Sequence, residues 1–133
     1  MNSVGVYIHI PFCGSKCAYC DFYSQIRSEK KREDYVCALV NQIKSADFGG
    51  SVRSVYIGGG TPSVLTSEQL CRILGAVYSH FEVEDGAEIT VEMNPENVTE
   101  ELVCSLVRNG VGRVSMGVQS FCDGELALLG RRG

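Results

Sequence analysis

Apolar residues in this chain fall into short dense runs that alternate with longer stretches of helical spacing. Val4 to Phe22, VGVYIHIPFCGSKCAYCDF, opens as a short apolar strand that runs directly into three closely spaced cysteines. From Glu29 to Ala46 the apolar positions Tyr35, Val36, Leu39, Val40 and Ile43 recur with the spacing of a helix that buries one face. Val52 to Ile57 is β-branched and aromatic, and Gly58-Gly59-Gly60 stops it. Thr66 or Ser67 can cap the next helix, since Thr66-Ser67-Glu68-Gln69 offers the Ser/Thr-x-x-Glu/Gln pattern, and its apolar face is Leu70, Ile73, Leu74 and Val77. Ala87 to Glu92 is a further strand. Thr99 caps a helix through Leu102, Val103, Leu106 and Val107 that closes at Gly110, Val111 to Val118 is the fourth strand, and Asp123 begins a last helix cut off at Arg131.

Strands and helices in strict alternation predict an α/β fold with a parallel sheet and its helices outside. Chemistry in such sheets gathers at the carboxyl ends of the strands. A closed eightfold barrel takes about 250 residues, so a chain of 133 predicts a partial parallel (β/α) barrel of about four βα units, truncated at its carboxyl end. Residues 1–133 are then the amino-terminal part of one core domain. Its fourth strand would be an apolar parallel edge, a surface that invites association.

Cysteine use changes this picture most. Of the seven cysteines, Cys13, Cys17 and Cys20 stand together just after the first strand as C-x3-C-x2-C. Three thiolates on one short loop can take three corners of a [4Fe–4S] cube and leave the fourth iron open to a small ligand. A closed zinc site wants four ligands, usually as two separated pairs, and no second C-x2-C pair exists. His9 could complete a Cys3His set, but it lies within the strand pattern and is expected to point away from the loop. An odd cysteine count without a secretory pattern at Met1 to Val4 argues against a disulfide framework. Cys37, Cys71 and Cys104 fall within helical patterns and read as small buried hydrophobes, whereas Cys122 lies in a loop and receives no role.

Charge and composition mainly exclude. A hydrophobic content of 44% is ordinary for a folded domain, and a net charge of −4 with basic residues only in short clusters such as Lys30-Lys31-Arg32 gives no support for a nucleic-acid partner. No apolar run approaches the roughly 20 residues of a transmembrane helix. The expected setting is reducing and cytoplasmic, where an oxygen-sensitive cluster survives.

The other motifs sit at predicted strand ends. Gly58-Gly59-Gly60-Thr61-Pro62 lets backbone approach a ligand closely, and a loop feeding a helix offers free N–H groups; a plain strand-to-helix turn is the alternative. Glu92-Met93-Asn94-Pro95 places a carboxylate at a strand tip, either solvated at the rim or bound to ligand hydroxyls, and Pro95 forces Asn94 out of helical geometry. Gln119 offers donor and acceptor at the fourth tip, and Arg131 can meet a carboxylate bidentately. Arg113, at the opposite end of that strand, reads as structural.

The cysteine triplet after a strand, with Tyr19 just before Cys20, resembles the radical S-adenosylmethionine enzymes. YIHIPFC, CDF, YIGGGTPS, EMNPE, RVSMGVQSF and LGR together resemble, more narrowly and over nearly the whole chain, the group of oxygen-independent coproporphyrinogen III oxidases and their haem-chaperone relatives. The resemblance implies a [4Fe–4S] cluster on Cys13, Cys17 and Cys20, whose open iron chelates the methionine moiety of S-adenosylmethionine and whose electron cleaves the sulfonium to a 5′-deoxyadenosyl radical. It further implies that Tyr7, Tyr19, Gly59, Gly60, Thr61, Glu92, Gln119 and Arg131 contact that cofactor, Glu92 through ribose hydroxyls and the glycine motif through backbone meeting the methionine amino group. No catalytic residue is assigned. A second S-adenosylmethionine is bound nearby in the oxidases, which typically continue the triplet to C-x3-C-x2-C-x-C. This chain reads Cys20-Asp21-Phe22 instead, and Phe22 resembles the chaperone branch. The implied function is the cluster- and cofactor-binding amino-terminal segment of a haem chaperone, with an electron donor and haem or a porphyrinogen as partners. Oxidative decarboxylation of coproporphyrinogen III is the alternative. An inactive fragment is a third reading, because the chain ends where a fifth strand would begin and Arg131-Arg132-Gly133 departs from an LGR followed by histidine.

Overall fold

A computed structural model describes residues 2–12, 22–60 and 62–116. Four strands, β1 (Asn2–Ile10), β2 (Gly50–Gly59), β3 (Glu82–Met93) and β4 (Arg113–Met116), alternate with three helices, α1 (Phe22–Ser45), α2 (Ser67–His80) and α3 (Glu100–Arg108). The strands form one sheet in the order β1-β2-β3-β4, and all three pairings are parallel. A sheet whose spatial order is its chain order, with helical crossovers, is the winding of a (β/α) barrel, of which these strands make only a part.

The sheet has two unlike faces. Ile8, Ile10, Val55, Ile57, Ile89, Val91 and Met93 are buried against Val36 and Ile43 of α1, Leu70, Ile73, Leu74 and Val77 of α2, and Leu102 and Leu106 of α3. The intervening positions are polar: Tyr7 and His9 on β1, Ser54 and Tyr56 on β2, Glu88, Thr90 and Glu92 on β3, Arg113 and Ser115 on β4. Parallel strands covered on both faces usually read as unbroken apolar runs. Here alternation survives because only one face is committed to a dry core.

Each helix starts where local chemistry predicts, with one exception. Thr66 caps α2 by accepting from the Gln69 amide, while the Gln69 side chain accepts from the Thr66 amide, a reciprocal box. Thr99 caps α3 by accepting from the Leu102 amide, and Gly110 follows with a φ of 87°. The exception is α1, which begins at Phe22 rather than Glu29. Residues 22–28 lack an apolar period but contain no proline or glycine, so nothing halts the helix there.

Three other expectations change. β3 extends back to Glu82, with an irregularity between the Val52–Val83 and Ser54–Glu88 pairs that Gly86, at φ 80°, accommodates. On α3 only Leu102 and Leu106 are buried; Val103 and Val107 are exposed. Cys37 and Cys104 are exposed and Cys71 half-buried, so the expectation of buried thiols fails for the first two. Cys37 lies on the polar side of α1, where its thiol donates to Glu33 and accepts from Arg72.

Glu33 joins α1 to α2. It accepts from Arg72 at 2.9 Å and from the Gln69 side-chain Nε2 at 3.0 Å, and the Arg72 guanidinium is the main reason its carboxyl is held at about 2, below the ordinary 4.5. A depressed carboxyl stabilises the fold above its unfolded value and loses that contribution as pH falls toward its folded one. Denaturation of Glu33→Gln between pH 5 and 2 will therefore show a shallower loss of stability with acid than the parent, with the two converging near pH 2. At Gly75, in the middle of α2, an added Cβ meets nothing within 4 Å. Gly75→Ala is expected to stabilise the fold by about 0.5–1 kcal/mol in chemical denaturation, from helix propensity alone.

Candidate cofactor site

The carboxyl ends of β1, β2 and β3 converge. At the first, Tyr35 of α1 donates its hydroxyl to the His9 carbonyl at 2.5 Å, and its ring packs edge-on against Phe12, with centroids 5.5 Å apart. Burial pushes the Tyr35 hydroxyl above its ordinary pKa, so it stays a donor at any physiological pH. The backbone leading into Cys13 is thereby tied to α1 before the cysteines begin.

The glycine run lies directly beside that backbone. The Gly60 amide donates to the Ile10 carbonyl at 2.7 Å. A Cβ on Gly60 would strike the Phe12 carbonyl oxygen, and one on Gly59, whose φ is 115°, would lie 2.6 Å from the His9 ring. The glycines are thus required by close approach of two strand tips. The sequence led us to expect free N–H groups here; those of Gly59 and Gly60 are instead engaged, by Glu92 and Ile10. Backbone so engaged suits a cationic ammonium only through its carbonyls.

Glu92, at the tip of β3, is held through both carboxylate oxygens. Oε1 accepts the Gly59 amide at 3.0 Å and Oε2 accepts the Tyr56 hydroxyl at 2.6 Å. The hydrogen bond to Glu92 is the main cause that raises the Tyr56 pKa, because the phenolate would lose it and face a carboxylate. Beside them Tyr7 is 57% exposed, stacks on Tyr56 with centroids 6.0 Å apart and shares a 3.2 Å hydrogen bond with His9 Nδ1. Below Glu92 a concavity of about 240 Å³ is lined by Ser54, Val55, Tyr56, Glu88, Thr90, Arg113 and Ser115. Arg113 therefore lies on this polar face.

Of the residues singled out from sequence, Tyr7, Gly59, Gly60 and Glu92 are brought together on three adjacent strand tips. Cys13, Cys17, Cys20, Tyr19, Thr61, Gln119 and Arg131, with Cys122, lie outside the described residues. The sequence reading missed Tyr35 and Tyr56. The signal for Tyr56 was present: in Val55-Tyr56-Ile57-Gly58 it alternates with the buried Val55 and Ile57, which puts it on the face of the glycine turn.

The profile of the Radical SAM superfamily matches residues 7–133. The chain is 40% identical over 132 residues to "Heme chaperone HemW" of Escherichia coli strain K12, covering 96% of this chain and 35% of that protein. It is 39% identical over 125 residues to "Heme chaperone HemW" of Lactococcus lactis, covering 94% of this chain and 33% of that one. Among solved structures, coproporphyrinogen III oxidase (HemN) from Escherichia coli, described as a radical SAM enzyme, superposes with a TM-score of 0.75 at 28% identity, covering 97% of this chain and 31% of the other. The chain thus spans about a third of the length of the relatives it matches.

Gly60→Ala tests the contact between the first two tips. Its Cβ would meet backbone, which cannot swing aside as a side chain can. A loss of about 1–3 kcal/mol in denaturation is expected. Gly49→Ala, where a Cβ meets nothing within 4 Å, should not show that loss.

Proposed function

The chain belongs to the Radical SAM superfamily, and on that premise we propose that residues 1–133 are the amino-terminal, cluster- and S-adenosylmethionine-binding part of one core domain in a haem-chaperone-like protein. The observation that carries the reading is the convergence of Tyr7, the Gly59-Gly60 turn and Glu92 at the carboxyl ends of β1, β2 and β3, beside the backbone that runs into Cys13. Cys13, Cys17 and Cys20 would hold the [4Fe–4S] cluster, which supplies one electron and an open iron for the methionine moiety.

The residues of the chain have distinct tasks around that group. Glu92 is an acceptor with one lone pair committed on each oxygen and one left, which suits hydroxyl donors such as those of a ribose. Tyr7 offers an exposed aromatic face at the same rim. Tyr35 holds the His9 carbonyl near the end of β1, shortly before the chain reaches Cys13. Tyr19, Thr61, Gln119 and Arg131 complete the proposed cofactor contacts, Arg131 as partner for a carboxylate.

Phe22, where the oxidases carry a further cysteine, and the identity to haem chaperones support that branch. The partners would be haem and an electron donor in a reducing cytoplasm; none of the helices described is long and apolar enough to cross a membrane. The likeness in fold to coproporphyrinogen III oxidase supports a second reading, in which the full protein oxidatively decarboxylates a porphyrinogen.

Anaerobic reconstitution with iron and sulfide is expected to give about four irons per chain and a reduced cluster whose electron paramagnetic resonance changes on adding S-adenosylmethionine. Little iron, or a spectrum indifferent to the cofactor, would overturn the reading for this chain. Product analysis with coproporphyrinogen III on the longer parent protein separates the two branches: conversion selects the oxidase, and haem binding without conversion selects the chaperone.

A further inference from the structure

Tyr56 has no role in the reading above, yet it sits at the centre of the polar strand tips. Its ring lies parallel to that of Tyr7, at 19° between planes, and its hydroxyl crosses to β3 to donate to Glu92 Oε2 at 2.6 Å. Ser115 of β4 lines the same concavity as Tyr56. Gly58 closes the arrangement from below: a Cβ there would stand 2.7 Å from the Tyr56 ring and 2.8 Å from Glu92 Oε1. Only a bare backbone lets ring and carboxylate lie side by side.

The terminal torsion of a glutamate is broad, so an unassisted carboxylate samples many planes. With the Gly59 amide on Oε1 and the Tyr56 hydroxyl on Oε2, donors from one strand fix both oxygens and leave one acceptor direction on each. Two parallel acceptors match two adjacent hydroxyls. We infer that Tyr56 is a positioning residue that sets the plane of Glu92 for a ligand bearing a vicinal diol, and so selects the nucleoside half of the cofactor and not its methionine half. This rests on the proposal that S-adenosylmethionine binds at these tips.

Two measurements test it. In the reconstituted chain, Tyr56→Phe keeps the stacked ring and removes only the hydroxyl. S-adenosylmethionine, followed through the cluster spectrum, should bind about tenfold or more weakly, as expected for a lost hydrogen bond to a charged group. The spectral response to methionine alone, which has no ribose, should hold within about twofold, the selectivity expected if the lost hydrogen bond orients only Glu92. Unchanged affinity for S-adenosylmethionine, or equal loss of both ligands, would overturn the inference. In the cluster-free chain, tyrosine ring-carbon NMR with Tyr56→Phe for assignment should show the Tyr56 titration moving to lower pH in Glu92→Gln. A titration unmoved by that change would refute the pairing even if the parent chain bound no cofactor, an outcome that by itself counts against the proposed function instead.

Discussion

Glu92 receives a backbone N–H and a phenolic hydroxyl from β2, and this pair of hydrogen bonds is the constraint on which the polar end of the sheet depends. It links the tip of β3 to the glycine turn, while Gly60 links that turn to the Ile10 carbonyl at the tip of β1. Three strand ends are thus coupled by contacts that need an unsubstituted backbone at Gly58, Gly59 and Gly60. Burying a carboxylate without donors would be costly; with one donor on each oxygen it can sit half-buried and still face a ligand.

The helix side supplies the rigidity that this arrangement needs. Val55 and Ile57 on β2, and Ile89, Val91 and Met93 on β3, are almost wholly buried under α2 and its neighbours, so successive side chains of one strand have opposite tasks. Tyr35 spans the two sides: it belongs to a helix that packs on the apolar face, yet its hydroxyl holds the carbonyl of His9, whose ring faces the polar one. In a closed barrel packed with branched side chains, the inner face would be apolar. Here that face carries hydroxyls, carboxylates and a guanidinium instead.

The proposed cofactor chemistry is economical in these terms. In that proposal the cysteine segment would supply the metal ligands, and the strand tips would supply neutral and anionic acceptors of fixed direction. A cationic sulfonium ligand with an ammonium group, a carboxylate and ribose hydroxyls asks for that mixture. The chain spans about a third of the length of such relatives.

What the sequence determined by itself was the alternation of elements, a cap at Thr66 or Ser67 and another at Thr99, the core faces of α1 and α2, and the motifs at strand ends, because each is local: a period, a cap or a glycine run is written in neighbouring residues. It misplaced the start of α1 and the burial of Cys37, Cys104, Val103 and Val107, where periodicity could not say which neighbour would cover a given side. Only the tertiary structure decided that the Gly59 and Gly60 amides are engaged, that Tyr35 secures the entry to the cysteine segment, and that Tyr56 holds Glu92. Those pairs are 26 to 50 residues apart in sequence, and they meet because parallel register brings distant strand ends side by side, a relation that no local pattern encodes.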